Sequence, residues 1–138
     1  GITPQQAKFQ ANAEIFVIKL LINTREKGRV AEGIVCRYLV KKGYTILQVN
    51  FTIRGGEVDI VSQKEGIIVF VEVKSLRSNS INLSETISIH KRKSLIRTCK
   101  TWLNQHNLIE SDWRIDFVGV YIESGKVEKV LYLPNAIY

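Results

Sequence analysis

The sequence predicts an α/β fold, a mixed sheet of about five strands flanked by helices. Three observations point there. Apolar residues repeat at helical spacing as far as Lys41, and strand-like runs take over beyond Gly43. A further helical stretch, about Ser88 to His106, separates those strands from two more near the C-terminus. Finally, Ile67-Ile68-Val69-Phe70-Val71 is too apolar for an edge strand and calls for cover on both faces.

Taken in order, the first helix runs from about Gln5 to Ile22. Pro4 is placed to open it, and Ala7, Ala11, Ile15, Ile18 and Ile22 fall at helical spacing. We take residues 1–24 as a helical extension and 25–138 as one domain. A second helix, about Thr24 to Lys41, carries its apolar stripe on Val30, Ile34, Tyr38 and Leu39 and stops at Gly43. Strands follow at Tyr44–Val49, Glu57–Ser62 and Ile67–Lys74, then a polar loop from Ser75 to Asn82. The helix from Ser88 to His106 turns Leu95, Ile96, Cys99, Trp102 and Leu103 inward. Trp113–Ile122 and Val127–Leu133 close the chain as two strands joined at Ser124-Gly125.

At 138 residues, with 45% apolar and 24% charged side chains, the chain suits one globular domain and excludes whole-chain disorder. Cys36 and Cys99 are too few for a disulfide framework, have no Cys or His neighbours at zinc-ligand spacing, and read as buried thiols of a reducing compartment. Ile15–Ile18 and Leu20–Ile22, broken by Lys19, are too short to span a bilayer. No signal-peptide pattern is present, so a cytoplasmic location and no membrane partner are expected. The net charge is +7, and residues 74–100 concentrate it, with seven basic residues and one acidic. Such a segment suits a polyanion surface.

The chemistry gathers in one hairpin. Strand-forming residues carry ionised groups at alternate positions, so Glu57 and Asp59 share one face, as do Glu72 and Lys74. If Glu65-Gly66 is a tight turn and Lys64 aligns with Ile67, Asp59 lies opposite Glu72 and Glu57 opposite Lys74. Two carboxylates that close repel unless one keeps a proton or a cation intervenes, and oxygen ligands suit magnesium or manganese. The same alternation also fits a solvated face with a plain Glu57–Lys74 ion pair. The apolar run at Ile67–Val71 argues for a cleft instead.

An Asp, a hairpin and then Glu-x-Lys is the signature of the restriction-endonuclease-like superfamily, the PD-(D/E)xK nucleases. The version here, Gly55-Gly56-Glu57-Val58-Asp59 with Val69-Phe70-Val71-Glu72-Val73-Lys74, resembles the YraN-like family of bacterial proteins. Gly28-Arg29-Val30-Ala31-Glu32, Tyr38-Leu39, Gly43-Tyr44, Asn50, Lys91, Trp102-Leu103 and Arg114–Val118 extend the likeness from about residue 27 to the end. Ala31 in place of the common Gly, Arg77 one position later than usual, and the long residues 1–24 depart from it.

The resemblance implies a restriction-endonuclease-like sheet and a nuclease that hydrolyses phosphodiester bonds of DNA, including branched or single-stranded DNA. Asp59, Glu72 and the backbone carbonyl of Val73 would hold Mg2+ or Mn2+, and Lys74 would orient the attacking water. Glu32 would complete the site, and Glu57 would steady Lys74. Arg54, Arg77, Lys91, Arg92 and Lys93 would contact nucleic acid. More distant similarity to Holliday-junction resolvases implies a homodimer. A nucleic-acid-binding module without turnover is the alternative, and a protein-interaction domain using the basic helix is a third reading. His106 reads as a helix-dipole partner, Trp102 and Trp113 as core, and Asp116 as a structural partner of Arg114.

Overall fold

The computed structural model describes residues 27–76 and 89–137. The expected helix at Gln5–Ile22, the loop from Arg77 onward and Arg77 itself lie outside them. Helix α1 spans Lys27–Lys41 and buries Val30, Ala31, Val35, Cys36 and Leu39. Gly43 ends it in the left-handed conformation (φ +91°), which lets Tyr44 N–H return to the Leu39 carbonyl at 3.0 Å.

Five strands follow the predicted order: β1 (Thr45–Ile53), β2 (Gly56–Lys64), β3 (Ile67–Leu76), then β4 (Trp113–Glu123) and β5 (Lys126–Ile137) after helix α2 (Ile89–Gln105). They form one sheet in sequence order, antiparallel except for the parallel β3–β4 pair that α2 connects. The sheet is therefore mixed, as expected. β3 and β4 need a crossover because a parallel pair cannot be joined by a tight turn.

The β2–β3 turn places both Glu65 (φ +51°) and Gly66 (φ +80°) in the left-handed region, the geometry of a two-residue hairpin matched to strand twist. Ser124 (φ +51°) and Gly125 (φ +75°) repeat it between β4 and β5. Lys64 pairs with Ile67, so the register follows the expectation up to Ile60 opposite Val71.

Helices cover the two faces. α1 packs on Ile46, Ile60, Val69, Val71, Val118 and Val120. On the other face, α2 presses Leu95, Cys99, Trp102 and Leu103 onto Val58, Val61, Phe70 and Phe117. Neighbouring β3 residues thus alternate between two cores, which explains the unbroken apolar run at Ile67–Val71. Trp102 is a core residue whose Nε1–H donates to Gln48 Oε1 at 2.9 Å. Phe70 meets both Trp102 and Trp113 edge-on.

Candidate metal centre

The glycine pair before Glu57 seats the β1–β2 hairpin on α2. A Cβ on Gly56 would lie 2.1 Å from Thr98 Oγ1, so only glycine allows this approach. Ser94 Oγ donates to the Gly55 carbonyl at 2.6 Å, and Arg97 Nη2 donates to the same oxygen at 2.9 Å. The loop end of β2 is thereby tied to the helix.

Strands β2 and β3 part at the chemistry. Their ladder runs from Lys64–Ile67 to Ile60–Val71, and Asp59 and Glu72 are the next residues on each side. From there β2 stays with β1, Glu57 pairing with Thr52, while β3 stays with β4, Lys74 pairing with Gly119. The expected pairs, Asp59 opposite Glu72 and Glu57 opposite Lys74, are therefore not part of the ladder. Each strand keeps its outer partner and the seam between them opens. Asp59 spans the opening: its Oδ2 accepts the Val73 N–H at 2.7 Å. A polar side chain replaces the ladder bond that the split removes.

Three more carboxylates crowd this point. Glu72 is 4% exposed, and Glu32 reaches the same Asp59 from α1. Burial, then a hydrogen bond with Asp59 and the charge of Asp59, push the Glu72 carboxyl up to about 9, against the opposing pull of Lys91. Burial, then the charge of Asp59 and a hydrogen bond to it, raise Glu32 to about 7. Exposed Glu57 adds negative charge to both. It belongs to the acidic cluster as well as to the β1–β2 ladder.

A carboxyl–carboxyl contact is a hydrogen bond only while one partner carries a proton. With Glu72 ionised, its Oε1 is buried and has no hydrogen-bond partner among the described residues, while Oε2 lies 3.7 Å from Lys91 Nζ. Such an oxygen calls for a proton or a cation. Among the described residues, no three Asp, Glu, His or Cys side chains are already arranged as a metal cage. Two carboxylates with the Val73 carbonyl are nonetheless a fitting donor set for magnesium or manganese. Magnesium keeps several waters and is usually bound through one or two carboxylates.

Lys74 is half-buried on the strand that carries Glu72. Of the residues expected to meet nucleic acid, Arg54 caps the β1–β2 turn and is exposed, as are Arg92 and Lys93. Three consecutive residues on a helix point in three directions. Lys91 turns to Glu72 rather than standing beside Lys93. Lys93 instead shares an open groove with Arg97 and Lys100, which sequence reasoning passed over. Their spacing of four and three was the available signal.

Other titratable groups hold the fold together. Asp116 is fully buried and accepts from Arg114 Nε at 2.9 Å, from Tyr132 Oη and from the Asn135 N–H at 2.8 Å. It pins β5 to β4, and its pairing with Arg114 is the one expected. Burial, and then the hydrogen bond to Asp116, drive the Tyr132 hydroxyl pKa upward. Burial pushes the Cys36 thiol up to about 12 and Cys99 higher still, so neither supplies a thiolate nucleophile at neutral pH. His106 Nδ1 lies 2.8 Å from the Trp102 carbonyl and its ring stacks on Trp102. Among the described residues no helix is long and apolar enough to cross a membrane.

Comparison with known proteins gives the family of the chain. Among solved structures, Pyrococcus furiosus SfsA in complex with Ca2+ aligns with a TM-score of 0.36 and 15% identity, over 82% of this chain. This chain spans 64% of that one. A UPF0102 protein of Caldanaerobacter subterraneus subsp. tengcongensis is 36% identical over 118 residues, covering 83% of this chain and 97% of the relative. One from Alkaliphilus metalliredigens is 37% identical over 114 residues, covering 82% and 98%. Another, from Carboxydothermus hydrogenoformans, is 40% identical over 100 residues, covering 72% and 85%. The profile described as "Uncharacterised protein family UPF0102" matches residues 31–120, a stretch that takes in Glu32, Asp59, Glu72 and Lys74. On that match and those relatives, the chain belongs to the UPF0102 family.

Proposed function

We propose that this protein is a metal-dependent nuclease that hydrolyses phosphodiester bonds of DNA. The observation that carries the reading is the Asp59–Glu72 pair at the strand split, with a buried Glu72 oxygen lacking a partner among the described residues. Asp59, Glu72 and the Val73 carbonyl would hold Mg2+ or Mn2+. Bound there, such an ion supplies positive charge to the scissile phosphate and lowers the pKa of its water. Asp59 does a second job, since its bond to Val73 N–H fixes the β3 backbone whose carbonyl joins the donor set.

Lys74, on the same strand as Glu72, orients the attacking water and offsets phosphate charge. Glu32 lies in hydrogen-bond contact with Asp59 and takes up a proton near neutral pH. Its carboxyl, raised to about 7, would serve as the proton acceptor for that water. The groove of Lys93, Arg97 and Lys100 offers the DNA backbone a cationic path, and Arg54 at the hairpin tip extends it.

The test is a panel of labelled single-stranded, duplex, flap and four-way-junction DNAs incubated with Mn2+. Wild-type cleavage that is lost in Asp59→Asn supports the nuclease. Tight binding without cleavage of any substrate moves the reading to a nucleic-acid-binding module on the same fold.

A further inference from the structure

Five basic residues lie on α2 between Lys91 and Lys100, and one of them behaves unlike the rest. All five are exposed on the helix, so it is the direction of the side chain that differs. Lys91, in its first turn, directs Nζ to Glu72 Oε2 at 3.7 Å, with its side chain 47% exposed and that of Glu72 6%. Its charge draws the Glu72 carboxyl back toward ionisation against burial, Asp59 and Glu57. A long side chain rooted at the rim of the site thus places an ammonium beside the carboxylate that a divalent ion would use.

Glu72 cannot serve both cations at full strength. An ammonium and a divalent ion on the two oxygens of one carboxylate would stand only a few ångströms apart and repel. Lys91 is half-exposed and stands 3.7 Å from a single oxygen of buried Glu72, beyond hydrogen-bond range, so the contact is loose enough to be given up. We infer that Lys91 is the resident counter-ion of the metal centre, held on Glu72 in the metal-free protein and turned to a nucleic-acid phosphate once the ion is bound. The inference rests on the metal-centre reading above. It gives Lys91 a role apart from Lys74, which lies on β3, and from Lys93, which faces the groove.

The role predicts two effects of opposite sign. Lys91→Gln removes a competitor and a repelling charge, so Mn2+ should bind roughly three- to tenfold tighter in calorimetric titration without DNA. At saturating Mn2+ the same variant should cleave more slowly, having lost a phosphate contact. Lys93→Gln makes the same charge change on the groove face and should leave Mn2+ affinity within about twofold of wild type. Lys91→Arg should restore wild-type metal affinity. Weaker Mn2+ binding in Lys91→Gln, or equal shifts in Lys91→Gln and Lys93→Gln, would overturn the counter-ion role while leaving the metal centre standing. Glu72→Gln reports on the centre itself: wild-type Mn2+ affinity in that variant, or no Mn2+ binding by wild type, would overturn both.

Discussion

Asp59 Oδ2 accepts the Val73 N–H at 2.7 Å across two strands that have stopped pairing one residue earlier. That single carboxylate is both a structural bridge and the hub of the acidic cluster, touching Glu32 from α1 and Glu72 from β3. The two roles separate chemically, because an amide oxygen can accept the same N–H without carrying charge.

Asp59→Asn should therefore leave the fold intact and make the metal-free protein more stable at neutral pH. It removes one of several repelling carboxylates while Asn Oδ1 keeps the bond to Val73. Millimolar Mg2+ or Mn2+ should raise the melting temperature of wild type, since a ligand that prefers the native state stabilises it. Thermal melts with and without metal check both statements. An equal metal response in wild type and variant would place the ion elsewhere.

The raised carboxyls predict a pH dependence in EDTA. An acid that binds its proton more tightly when folded stabilises the protein at low pH, and the gain is lost as pH rises. The window opens at the ordinary carboxyl value of 4.5 and closes as pH passes about 7 for Glu32 and about 9 for Glu72. Melting temperature without metal should fall across that range, and Glu72→Gln should flatten its upper half. Added Mn2+ should reverse the trend, because the ligating form is the deprotonated one.

At the hairpin seat, Gly56→Ala should cost on the order of 1–3 kcal/mol, the range for forcing a methyl into a filled site. The new Cβ meets Thr98 Oγ1 at 2.1 Å and the Ser94 carbonyl at 3.2 Å. Thr98→Ala in the same chain should recover part of the loss, since it removes the nearer atom and leaves the farther one. Urea melts of the two single variants and the double variant measure the coupling.

Much of this centre was legible because hairpin chemistry is local. Glu65-Gly66 fixed the register as far as Ile60 opposite Val71, and Asp59 and Glu72 are the next residues along the two strands. Counting failed at the next step. Whether two strands go on pairing depends on their outer neighbours, and the hold of β1 on Glu57 and of β4 on Lys74 opens the seam. Sequence spacing carries no sign of that competition. The contact of Lys91 with Glu72 escaped for a related reason, since it joins residues 19 apart on different elements. Lys93, Arg97 and Lys100 were within reach, since helical spacing alone aligns them.

That alignment predicts the salt behaviour of DNA binding. Each phosphate contact releases about one counterion, so log affinity should fall linearly with log salt. Lys93→Gln with Lys100→Gln should reduce the slope by roughly two and weaken binding to all sequences alike. Arg97 is the poor choice for this test, because its guanidinium also holds the Gly55 carbonyl. An unchanged slope, read by fluorescence anisotropy from low to high salt, would mean the DNA follows another face.

On the proposed nuclease reading, a change at Lys74 should separate turnover from binding. It lies on β3 two residues after Glu72, so its side chain leaves the strand on the same face as that carboxylate. A protonated ammonium has no lone pair for a metal, so on the proposed nuclease reading its work would lie with the water and the phosphate. Lys74→Ala should keep the Mn2+-induced rise in melting temperature and keep DNA affinity within a few fold. Cleavage should fall about a hundredfold or more, the usual loss when a preorganised transition-state contact is removed. Lys74→Arg keeps the charge but replaces a compact ammonium with a wide planar fork, and should recover binding more fully than rate. Single-turnover cleavage at saturating Mn2+ makes the measurement, since it isolates the chemical step from product release. Wild-type rates in Lys74→Ala would remove Lys74 from the reaction and return the water to Glu32 alone.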